Sequence, residues 1–216
     1  MSTSTTRPSR PRPALLAPVR LIREHLRAFL ALNAMAFGLL LLGMLAGLLF
    51  PDLHASRAAG MDASGTTDLV VSLLSSMWLF AATILAVNVL TVALATIALP
   101  SLVVPFLGIP LFAYRAFLFG VSLAPVDATV RTILIPHSVT LVLELEAYIL
   151  VTLGTYLLGR AWLRPASVGE SSRRRGYVHG LRQLGVLWLP ALALFVLGAV
   201  YEAFSITRIM PIMLGG

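Results

Sequence analysis

Five blocks of apolar residues dominate the chain, at about 28–50, 69–99, 101–124, 133–159 and 183–204. Each is long enough to cross a ~30 Å hydrocarbon core as an α-helix, which takes about 20 residues at ~1.5 Å per residue. A spanning segment must satisfy its backbone polar groups internally, so helix is the form expected for all five. The polar stretches set the boundaries. Residues 1–19 are rich in Ser, Thr, Pro and Arg without apolar periodicity and are expected to form a disordered basic tail. Pro51 closes the first block, and Asp52, Asp62 and Asp68 with Gly60 and Gly65 read as a polar loop over 51–68. Pro100, Pro105, Gly108 and Pro110 interrupt the start of the third block, which should be bent or partly re-entrant. Residues 125–132 read as a short turn, 160–182 as a basic loop and 206–216 as a short external tail. The pattern predicts an all-α polytopic membrane helix bundle of about five transmembrane helices, forming one domain over 20–205.

The fourth block departs from simple apolarity, because His137, Glu144 and Glu146 lie inside it. At 3.6 residues per turn His137 falls about 20° from Glu144, with Thr140, Tyr148 and Thr155 within about 40°. These five make one polar stripe, while Glu146 points roughly 200° away from Glu144. A carboxylate near mid-membrane costs about 2.5–3.5 kcal/mol on insertion scales, so other helices must surround this one. Counting residues from the helix ends places Arg115 at the depth of Glu144 and Glu146, and Glu202 at the depth of His137. Arg115 with Glu144 or Glu146, and His137 with Glu202, are the expected couples. In the first block Gly43 and Gly47 form a small-xxx-small face for close helix packing, within the chain or between copies.

Composition changes the picture in two ways. With 58% hydrophobic and 12% charged residues, a soluble domain is excluded. No cysteine is present, which removes disulfides, thiolate metal sites and cysteine nucleophiles. The pI near 11.0 invites a nucleic-acid reading, which the arginine positions argue against. Arg7, Arg10, Arg12, Arg20, Arg23 and Arg27 precede the first block, and Arg160, Arg164, Arg173, Arg174, Arg175 and Arg182 fall between the last two. Five spans with the N-terminus inside put both clusters in the cytoplasm, where Arg173, Arg174 and Arg175 would meet anionic lipid. The first block is longer than a signal-peptide core and is expected to remain in the chain.

Ile135-Pro136-His137 followed by Glu144-Leu145-Glu146-Ala147 resembles the Pro-His-Gly…Glu-Leu-Pro-Ala signature of the stage II sporulation protein M family. Leu197-Gly-Ala-Val-Tyr-Glu202-Ala-Phe204 resembles that family's closing Ala-x-x-Glu-Ala-Phe element, and Val87-Asn88-Val89 and Tyr114 to Gly120 occupy the places of two further segments. The resemblance covers about residues 20–205. Ser138 stands for the motif Gly, Arg115-Ala116 for Asn-Gly and Glu146 for Pro, and seven residues rather than four separate His137 from Glu144. The residues it carries over are His137, Glu144, Glu202 and Asn88. It implies a non-enzymatic scaffold or assembly component of the bacterial plasma membrane, without cofactor or metal, linked to envelope remodelling or sporulation. Its implied partners are other membrane or envelope proteins, cell-wall hydrolases among them; further copies of the chain, through the Gly43–Gly47 face, are a partner that the residues themselves leave open. A permease or transporter subunit working with a separate ATPase or ion gradient is the alternative, since buried Arg, Glu and His suit such a path. An intramembrane hydrolase is disfavoured by the lack of a His-Glu-x-x-His motif and by the opposed faces of Glu144 and Glu146.

Overall fold

The computed structural model describes residues 16–63, 65, 69 and 72–213, and every regular element among them is a helix. In chain order these are α1 (Ala17–Glu24), α2 (Leu26–Leu49), α3 (Pro51–Ala63), α4 (Met77–Val103), α5 (Gly108–Ser122), α6 (Ala128–Leu163) and α7 (Arg173–Met213). A single 3₁₀ turn, Pro165–Val168, joins the last two. The four helices α2, α4, α6 and α7 are apolar and long enough to cross a membrane, whereas α5 is apolar but only 15 residues long. At ~1.5 Å per residue α5 spans about 22 Å, short of the hydrocarbon thickness.

The helices alternate in direction, and small residues at their contacts show how. A Cβ on Gly43 of α2 would collide with the Phe117 carbonyl of α5, and one on Gly47 would meet Val121 and Ala124. Residue numbers rise together along this seam, so α2 and α5 run parallel. Along α6 and α7 they run oppositely: Gly176 meets Ala161, Gly180 meets Leu158, Gly154 meets Leu184 and Gly198 meets Glu144. Glycine at these points removes the side chain that would hold two backbones apart. The α6–α7 pairing is the most extensive in the molecule. α4 is antiparallel to α7, since Phe80 and Ala81 pack with Ala203 at one end, while at the other the Tyr177 hydroxyl donates to the Leu102 carbonyl at 3.3 Å.

This arrangement puts α6 at the centre. Of the residues in its most apolar 18-residue stretch, 78% are buried, against 22%, 28% and 33% for α2, α4 and α7. Leu145, Ile149, Leu153, Leu157 and Leu158 are fully enclosed, and the outer helices expose Leu41, Leu45, Leu79, Leu90, Leu189 and Leu197. A helix hydrophobic all round is a buried one, and an exposed apolar face on its neighbours is what a lipid solvent requires. The described arginines of the two clusters gather at one end of the bundle: Arg20 and Arg182 line one cleft there, and Arg23, Arg27 and Arg160 another.

Several boundaries differ from those expected. The 51–68 loop is largely helix α3: Pro51 sits at its first position, where a missing N–H costs nothing, Asp52 suits its first turn, and Ala55, Ala58 and Ala59 follow. The second block becomes continuous helix at Met77 rather than Leu69, where Ser76 accepts a hydrogen bond from the Leu79 amide at 3.4 Å. The proline-rich break falls at 104–107, where Phe106 takes a left-handed φ of 69°, and Pro110 lies in the first turn of α5. The 160–182 segment is mostly helix. Its arginine triplet forms the first turn of α7, capped by Ser172, and the last block continues helical to Met213. Asp127 caps α6 and starts it at Ala128. The tail over 1–15, with Arg7, Arg10 and Arg12, lies outside the described residues.

Candidate functional site

A chain of polar side chains crosses the middle of the bundle from α4 through α6 to α7. Its centre is Glu144, 5% exposed, which accepts a hydrogen bond from the Asn88 side-chain amide. The Asn88 carbonyl oxygen accepts in turn from the Tyr148 hydroxyl at 2.9 Å. Glu144 and Tyr148 lie four residues apart on one face of α6, so a single amide from α4 spans both. Asn88 can do this because both its donor and its acceptor are used. It stands at the start of Val87–Ala98, where α4 widens into π-helical turns. Such widening is rare in helices and is frequent at functional sites.

On the other side the Glu144 and Glu202 carboxyl groups adjoin across the α6–α7 seam. Gly198 makes the approach possible, since a Cβ there would lie 3.3 Å from the Glu144 Cγ. His137 Nδ1 is 3.8 Å from Glu202 Oε1, longer than a hydrogen bond but within ion-pair range. The rings around the chain are apolar: Tyr148 packs on Phe195 at 5.0 Å and Phe112 at 5.9 Å between centroids, and Phe119 meets His137 edge-on at 6.4 Å. His137, Glu144, Glu202 and Asn88 are therefore brought together, with Tyr148 as a fifth member.

The remaining sequence candidates lie elsewhere. No ion pair joins Arg115 to Glu144 or Glu146 among the described residues. Matching depth put them together, but Arg115 is exposed on the outside of α5, while Glu144 is turned inward and taken by Asn88. Glu146 is half-buried on another face of α6. Gly43 and Gly47 pack against α5 of the same chain. Arg173, Arg174 and Arg175 are exposed, at a helix N-terminus that disfavours positive charge.

Three buried polar atoms near the site find no hydrogen-bond partner among the described residues: His137 Nε2, Thr140 Oγ1 and Ser205 Oγ. Thr140 lies one turn from both His137 and Glu144, and Ser205 one turn past Glu202. Ser205 and Gly198 were missed from sequence. Their signal was the helical spacing of three and four from Glu202. Among the described residues, no group of three His, Asp or Glu is placed to hold a metal ion.

The chain matches no family model, no curated protein and no solved structure.

Proposed function

We propose that this protein is a non-enzymatic scaffold or assembly component of the bacterial plasma membrane. It would cross the membrane five times with the N-terminus and the arginine-rich end in the cytoplasm, α5 making the short third crossing. The observation that carries the reading is how the charges of α6 are used. Glu144 is occupied by Asn88 and adjoins Glu202, so the central polar groups tie α4, α6 and α7 together. The alternating helix directions and the convergence of both arginine clusters at one end support the orientation, because basic loops are retained in the cytoplasm. The motif likeness to the stage II sporulation protein M family points the same way, toward envelope proteins such as cell-wall hydrolases as partners, with self-association as another use of the exposed helix faces. Affinity purification of the full chain from native membranes tests this. A reproducibly co-purifying envelope protein is expected, and a chain recovered alone at stoichiometric purity contradicts it.

The orphaned His137, Thr140 and Ser205 atoms favour a second reading, a permease subunit in which the seam between α6 and α7 hydrates and carries a proton or small ion. Purified protein in liposomes that dissipates a proton or ion gradient, with loss of the flux in Glu144→Gln, would establish it in place of the scaffold.

A further inference from the structure

Arg115 is the charge that the polar chain does not absorb. It sits at the midpoint of α5, seven residues from either end, on an exposed face of an apolar helix. An arginine at such a depth requires an anion or water, and no carboxylate pairs with it among the described residues. It lines a pocket of about 190 Å³ together with Arg57, which reaches in from α3. The Arg57 Nε is buried there with no hydrogen-bond partner among the described residues. The other walls are apolar or aromatic, including Val92, Phe112, Phe119 and the ring of Tyr148. Two guanidinium groups over an apolar floor, opening on the side of a membrane bundle, match one kind of ligand. We infer that this pocket seats the phosphate head of an anionic phospholipid from the leaflet on the α3 side.

The volume fits a head group and the start of its chains. Pockets that enclose a whole small molecule run to roughly 300–1,000 Å³. The acyl chains would then lie along the bundle, where Tyr114 and Leu90 are exposed. Guanidinium groups suit phosphate because their planar forks donate two parallel hydrogen bonds, and α3 brings the second fork to the pocket mouth. Tyr148 is shared between this pocket and the Asn88–Glu144 chain, so an occupant would press on the residue that anchors α4 to α6.

The test uses the full chain in detergent micelles, with native mass spectrometry counting retained lipid. Phosphatidylglycerol, phosphatidylcholine and inorganic phosphate are the probes. One phosphatidylglycerol should be retained in preference to phosphatidylcholine, with inorganic phosphate binding far more weakly. Arg115→Gln and Arg57→Gln should each weaken retention about tenfold, the loss of a charge-assisted hydrogen bond. Arg115→Lys should retain more lipid than Arg115→Gln but less than the native chain, since a point charge replaces the fork, and a triple Gln variant at Arg173, Arg174 and Arg175 should leave that one tight lipid in place. Should Arg115→Gln fail to fold, Arg57→Gln decides, since α3 lies outside the spanning helices. Unchanged retention in Arg57→Gln overturns the inference. So does equal retention of phosphatidylcholine, free phosphate binding as tightly as the lipid, or a dimer that falls to monomer in Arg115→Gln with no change in lipid.

Discussion

Asn88 is the residue on which the polar chain turns. An amide offers donor and acceptor on one group, and here the donor goes to Glu144 and the acceptor to Tyr148. Leucine at 88 would leave both partners buried and unmet, at about 1–3 kcal/mol for each neutral group and more for a charged one. Glycines make similarly local predictions. Gly120→Ala should destabilise by about 1–3 kcal/mol, because its Cβ would strike the Leu40 carbonyl, which cannot move without shifting α2. Gly185→Ala, with nothing within 4 Å, should be neutral or stabilising by up to about 1 kcal/mol. Denaturant unfolding in mixed micelles separates the two, and equal effects would mean that the α2–α5 seam is not close-packed. Gly198→Val should displace the Glu144 side chain and destabilise as Gly120→Ala does, a loss visible in the same measurement.

At the scale of elements, much of the bundle was legible from hydropathy. The apolar helices, the centrality of the one carrying charges and the shared face of His137 and Glu144 all follow from period and composition. The local departures were not, and each has a physical cause. α3 looked like a loop because its acids and glycines mask a good first turn at Pro51 and Asp52. The π-helical turns of Val87–Ala98 leave no compositional mark, yet Asn88 stands at their start. Arg115 and Glu144 share a depth but not a direction, and depth is all that residue counting along separate helices supplies. Phe106 shows another limit. Its left-handed φ swings the ring over Gly159 and beside Tyr156, at 5.9 Å between centroids, to seat the α4–α5 turn on α6. Gly159→Leu should therefore unseat that turn, exposing the 104–107 backbone to faster hydrogen exchange, while exchange at the α3 end stays unchanged.

For the whole molecule, the basic end predicts an orientation that can be measured directly. Tags placed in the Arg164–Ser172 turn and before Ala17 should both be protected from external reagents in intact cells, and one after Met213 should be accessible. Accessibility of the Arg164–Ser172 tag with protection of the other two would mean an even number of crossings, with α5 returning to the side it came from. The larger claim is that α6 is held by its own charges. Its apolar packing is shared with α7 along a glycine-lined seam, and its polar groups meet α4 and α7 at one level. A helix so enclosed acts as the post of the bundle, leaving apolar outer faces on α2, α4 and α7 exposed.

The most direct test of that claim is a double-mutant cycle between Asn88→Ala and Glu144→Leu, read as unfolding free energy of the purified chain in micelles. Each single change strands a buried partner, so each should cost about 1–3 kcal/mol, and the double change should cost less than their sum by about 1 kcal/mol or more. Additivity within about 0.3–0.5 kcal/mol would show two residues that act separately, and α6 would not be held by its charges.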